Sequence, residues 1–165
     1  MTPPEALVQL LQPWNDFYSH SKTAATLVIF LHTGGLLLAG GFAIAADRGT
    51  LRALRAGGNR GHQIAELRAV HQWVITGLAI VVISGVALFA ADIETFWPSW
   101  IYWAKMLLVA LLLANGLLMT RHEAGVEKDP SDASPHWRGL HRTAVTSLVL
   151  WFATTLAGVA LENLA

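Results

Sequence analysis

Seven histidines stand in a chain of 165 residues that is 54% hydrophobic and only 13% charged. Cysteine is absent, so thiolate metal sites, iron–sulfur clusters and disulfides are excluded, and any metal chemistry must use imidazole, thioether or carboxylate. Position along the apolar runs separates the histidines. His32 lies inside Val28-Ile-Phe-Leu-His-Thr-Gly-Gly-Leu-Leu-Leu-Ala-Gly-Gly41, six residues past Thr26, or about 9 Å along a helix. His71 lies just inside a second apolar run, His141 just before a fourth, and His122 just after a third. His62 and His136 fall further out, among polar residues.

Two imidazoles from different helices at matched depth are what a heme in a helical bundle requires, because the iron takes one from each face of the porphyrin. His71 and His141 meet that condition. Propionates directed to the same side would find Arg68, one turn before His71, and Arg138 and Arg142 beside His141. Guanidinium forks suit carboxylates. His32 is a different case. Its helical neighbours Gly35, Leu36 and Ala39 carry little bulk, which has two uses. The small residues Gly34, Gly35, Ala39 and Gly41 suit a close helix–helix seam bridged by the imidazole. Alternatively, a flat cofactor lies against the cleared face, either a second heme or a quinone. A second axial ligand at that depth would be Met106, His20 folded back, or His32 of a second copy of the chain in a homodimer. Ionisable groups inside a membrane are functional-site candidates because burying them is costly.

The elements that must position these residues are long apolar blocks, at about 24–46, 69–91, 101–119 and 143–161. Mean hydropathy is +0.47. Each block approaches the ~20 residues needed to cross a ~30 Å hydrocarbon core as helix, and blocks this long are not the ten-residue strands of a membrane barrel. The expected fold is all-α: one integral-membrane four-helix bundle, up-down-up-down, with the lipid bilayer as its solvent. Ahead of it, Glu5-Ala-Leu-Val-Gln-Leu-Leu11 reads as a short interfacial helix that starts after Pro3 and Pro4 and ends at Pro13. The segment lacks the basic start and apolar core of a cleavable signal. Ser134 and Pro135 read as the start of the last helix, and Asn115 as polar glue within the third span.

Charge gives an orientation. Of eleven Lys and Arg, all but Lys22 and Lys105 lie in the first and third connections: Arg48, Arg52, Arg55, Arg60 and Arg68, then Arg121, Lys128, Arg138 and Arg142. The positive-inside rule places these connections in the cytoplasm and both termini outside. Trp97, Trp100, Tyr102 and Trp103, with Trp14 and Tyr18, form the aromatic belt expected at the outer surface. The formal net charge is zero, which leaves no electrostatic footprint for nucleic acid.

His-Thr-Gly-Gly in the first span, the following Ala-Asp47-Arg48-Gly-Thr-Leu-Arg52, and the third span Trp103-Ala-Lys-Met-Leu-Leu-Val-Ala-Leu-Leu-Leu-Ala-Asn-Gly116 resemble small bacterial four-helix membrane proteins grouped near the copper-resistance D-like family and the four-helix b-type cytochromes. The resemblance implies a bacterial inner-membrane protein with His-ligated heme b, exchanging electrons with quinone or a redox protein. It departs in one respect: the diheme cytochromes of this kind pair histidines at two depths, and the fourth span here offers only His141. The competing classes are a non-redox structural or assembly subunit whose arginine-rich loops dock a partner, and a copper- or metal-handling protein. No Met-rich or paired-His tract at the outer surface favours the last.

Overall fold

The computed structural model describes the backbone of residues 2–56, 60–129 and 134–164, and the side chains of 2–55, 69–129 and 134–164. Arg68, Arg60, His62 and the Gly57-Gly58-Asn59 break therefore lie outside the described side chains. The described chain is helical without a strand: α1 Glu5–His20, α2 Lys22–Ala56, α3 Arg60–Ala91, the single turn α4 Ile93–Phe96, α5 Trp100–Lys128 and α6 Pro135–Leu164. Four of these helices are long and apolar enough to cross a membrane.

Their surfaces are arranged for lipid. Phe30, Ile83, Leu117 and Phe152 are each more than three-fifths exposed, whereas Asp47, Thr50, Ser84, Asn115, Thr143, Ser147 and Thr154 are buried. Apolar side chains outside and polar ones inside is the pattern of helices that associate through packing and hydrogen bonds, because lipid tails are as apolar as leucine. All four long helices extend beyond the apolar blocks. At 1.5 Å per residue, the 35 residues of α2 reach about 52 Å, so the helix projects well past the hydrocarbon layer and carries Asp47 and Arg48 as helical residues.

α2 is the centre of the packing. It lies against α3 on one side and α6 on the other, and α6 in turn packs against α5. The α2–α3 contact is a seam of small residues. A Cβ on Gly77 would come within 2.6 Å of the Ala39 amide nitrogen, and one on Gly35 within 2.9 Å of Ile80 Cγ2. Gly34 and Gly41 face open space, so the seam uses only the Gly35 and Ala39 stripe. On the α6 side, Gly40 admits the ring of Trp151, which packs with Ala39 and Leu112 in the core.

The N-terminal helix differs from expectation. It continues through Pro13 to His20, because tertiary hydrogen bonds outweigh the missing proline donor: Trp14 Nε1 donates to the Ala87 carbonyl at 2.8 Å, and Asn15 donates to that of Ala91. The helix is thereby fastened to the end of α3. That end is aromatic, with Tyr102 stacked on Phe89 at 4.9 Å and Trp103 edge-on to Trp97 at 5.7 Å. Ser99 caps α5 by accepting from the Tyr102 amide. α6 starts at Pro135, whose missing amide hydrogen costs nothing in a first turn.

Asn115 of α5 donates from Nδ2 to the Thr143 carbonyl of α6 at 2.9 Å, fully buried. Asn115→Leu should therefore lower stability by about 0.6–2 kcal/mol, the range for hydrogen bonds between membrane helices. Reversible unfolding in mixed micelles measures this. Unchanged stability would mean that the amide is not a bridge.

Candidate functional site

The structure builds one polar site at the depth of His32. The half-buried imidazole crosses from α2 to α3, with Nδ1 3.1 Å from Ser84 Oγ. Ser84 is 4% exposed, and its hydroxyl donates to the Ile80 carbonyl at 2.6 Å, one turn back along α3. A serine hydroxyl has a single proton. With that proton committed to Ile80, Oγ can only accept from the ring, so Nδ1 is the protonated nitrogen. Nε2 then carries the lone pair. Fixing the tautomer through a bond at Nδ1 is how imidazoles are prepared for ligation or proton transfer at the other nitrogen.

Small residues make room around this ring. A Cβ on Gly85 would lie 3.3 Å from His32 Cε1, so α3 offers a shallow cradle beside Ser84. Lys105 of α5 lies near enough to act electrostatically on His32, and its ammonium stem rests on Gly158 of α6. α2 thus supplies a ring acceptor and α5 a cation within electrostatic range of it.

The other sequence candidates are distributed differently. Gly35 and Ala39 face α3, so the stripe beside His32 is the seam and not a cleared face for a cofactor. Met106 is half-buried on α5, next to Lys105. His20 is exposed, with Nδ1 held by the Asp16 carbonyl at 2.7 Å, turned to its own helix instead of folding back toward His32. His71 and His141 are both exposed, and their helices, α3 and α6, share no substantial packing because α2 lies between them. Arg138 and Arg142 line a groove between α5 and α6 together with His122, not with His141. Among the described residues, no group of three or more His, Asp or Glu is placed to hold a metal ion.

Two features escaped the sequence reading. Asp47 is 2% exposed, close to Ser147 of α6 and within electrostatic range of Glu123 of α5, while its Oδ2 has no hydrogen-bond partner. It lies one residue past the apolar block at 24–46, next to Arg48 of the first basic connection. His122 and His136 form the second feature. The imidazole of His122 rests on Gly139 and that of His136 on Gly125, each helix supplying the glycine for the other's ring, with the two Nδ1 atoms 3.5 Å apart. The glycines were the available signal, since each lies one turn from the histidine of its own helix.

The architecture is that of a four-span membrane bundle with polar groups turned inward. Comparison with protein-family models, curated proteins and solved structures finds no match for the chain.

Proposed function

We propose that the chain is a membrane-embedded electron-transfer subunit that meets a quinone at His32. The observation carrying this reading is the polarised chain from His32 Nδ1 through Ser84 to the Ile80 carbonyl, which leaves Nε2 with a lone pair inside a span. Quinones are dissolved in the layer that surrounds this site. A quinol hydroxyl can donate to Nε2, while Lys105, the cation of the site, suits a quinone oxygen. Oxidation of a quinol releases two electrons and two protons. Nε2 takes the proton of the hydroxyl it binds, the second proton passes to water at the membrane surface, and both electrons pass to a redox partner.

A b-type heme is the second reading, and the same Nε2 lone pair favours it, since iron binds an unprotonated ring nitrogen. Its other axial ligand would then come from Met106 or a second copy of the chain. The two readings separate optically. A quinone site leaves the purified protein without a Soret band but able to bind quinone. A heme site gives a Soret band that His32→Gln abolishes. Protein lacking both properties would favour an assembly role. The cytoplasmic placement of the basic end belongs to the proposal too, and labelling of a cysteine placed at Arg52 from only the cytoplasmic side is the expected result.

A further inference from the structure

The groove between α5 and α6 at the basic end has no part in the His32 site. It has a volume of about 670 Å³ and is lined by Asn115, Leu118, His122, Arg138, Arg142 and Thr146, among others. We propose that it binds one anionic phospholipid, with the phosphodiester at Arg138, Arg142 and His122 and an acyl chain running past Leu118.

The composition of the groove changes along its length. Arg138 and Arg142 are one turn apart on α6, so both guanidinium groups rise from one face, and His122 stands opposite on α5. Thr146 lies a further turn into the span, with Leu118 across from it. From Pro135 to Thr146 the lining covers about 16 Å of α6. A charged mouth above an uncharged limb fits an amphiphile with an anionic head. Basic pockets between membrane helices bind such headgroups, and guanidinium forks match phosphate oxygens two at a time. A free phosphate would fill only the mouth.

The walls are fixed without a ligand. Reciprocal seating of His122 on Gly139 and His136 on Gly125 sets the spacing of α5 and α6 at the mouth, and Asn115 ties the deep end to Thr143. Little ordering is left to pay for on binding, which favours affinity. A pair of arginines serving only as topology signals needs no partner from the opposite helix and no apolar continuation.

Native mass spectrometry of the detergent-solubilised full chain tests the proposal, using phosphatidylglycerol, phosphatidylcholine and inorganic phosphate as probes. Phosphatidylglycerol should bind at least about tenfold more tightly than phosphatidylcholine, in one copy per chain. Arg138→Gln with Arg142→Gln should remove that preference, whereas Arg52→Gln with Arg55→Gln, which leaves the groove intact, should keep it. Leu118→Trp fills the apolar limb without altering charge and should weaken phosphatidylglycerol binding by itself. Inorganic phosphate at millimolar concentration should not displace the lipid. Equal binding of the two lipids, or a preference that survives the double arginine variant, overturns the proposal. Displacement by phosphate identifies a free-anion site and overturns it as well.

Discussion

His32→Gln is expected to lower quinol-dependent reduction of an electron acceptor by about 10²–10⁴-fold, the contribution typical of a positioned acid–base group. Glutamine keeps a donor and an acceptor at similar reach, so the Ser84 bridge and the fold survive, but an amide nitrogen takes no proton from a quinol. Ser84→Ala separates the roles further. It leaves the imidazole in place and removes only the group that fixes its tautomer, so the expected loss is about 10–100-fold, the size of outer-shell effects on ligating histidines. Steady-state assays with a water-soluble quinol in proteoliposomes measure both variants. A His32→Gln protein with unchanged turnover would return this residue to the helix seam.

Gly77→Leu should be the most damaging single change in the membrane core. Even a methyl group at this position would sit 2.6 Å from the Ala39 nitrogen and 2.9 Å from the Gly35 carbonyl, and backbone cannot turn aside as a side chain can. Gly77→Ala should cost about 1–3 kcal/mol, the usual range for overpacking, and the leucine variant more, with α2 and α3 forced apart. Ser84 is two turns along α3 from Gly77, so its bond to His32 should be lost in the same variant. Gly41→Leu, a change of equal size facing open space, should leave stability within about 0.5 kcal/mol. Unfolding of the three variants in mixed micelles compares them directly, and equal stability of Gly77→Leu and Gly41→Leu would contradict the packing described.

The spans were legible in the sequence and the direction of their side chains was not. Long apolar blocks reveal which helices are able to cross, which gave the four spans and set His32 inside the first of them. A lipid-facing surface is as apolar as a core, so these helices lack the polar stripe that tells inside from outside in a soluble bundle. His71 and His141 share a level by residue count, yet both face outward. The same blindness hid Ser84, a small polar residue in an apolar run with nothing to mark it as the partner of His32. Glycine patterns were readable but ambiguous: Gly35 belongs to the seam with α3, whereas a side chain at Gly34 or Gly41 would enter open space. Asp47 was missed because α2 continues ten residues past the apolar run that preceded it, to Ala56. Pro13 misled in the opposite direction, since its local preference was overridden by contacts 73 and 76 residues away in sequence.

Pulsed electron paramagnetic resonance on the semiquinone formed in proteoliposomes examines the His32 site itself. Once Nε2 has taken a proton from the quinol, that proton bridges the ring and the semiquinone oxygen, so the radical should show a hyperfine coupling to one imidazole nitrogen. The coupling should change on labelling histidine with nitrogen-15 and disappear in His32→Gln. A protein that binds no quinone, or a coupling that persists unchanged in His32→Gln, would contradict the assignment of His32 as the redox contact.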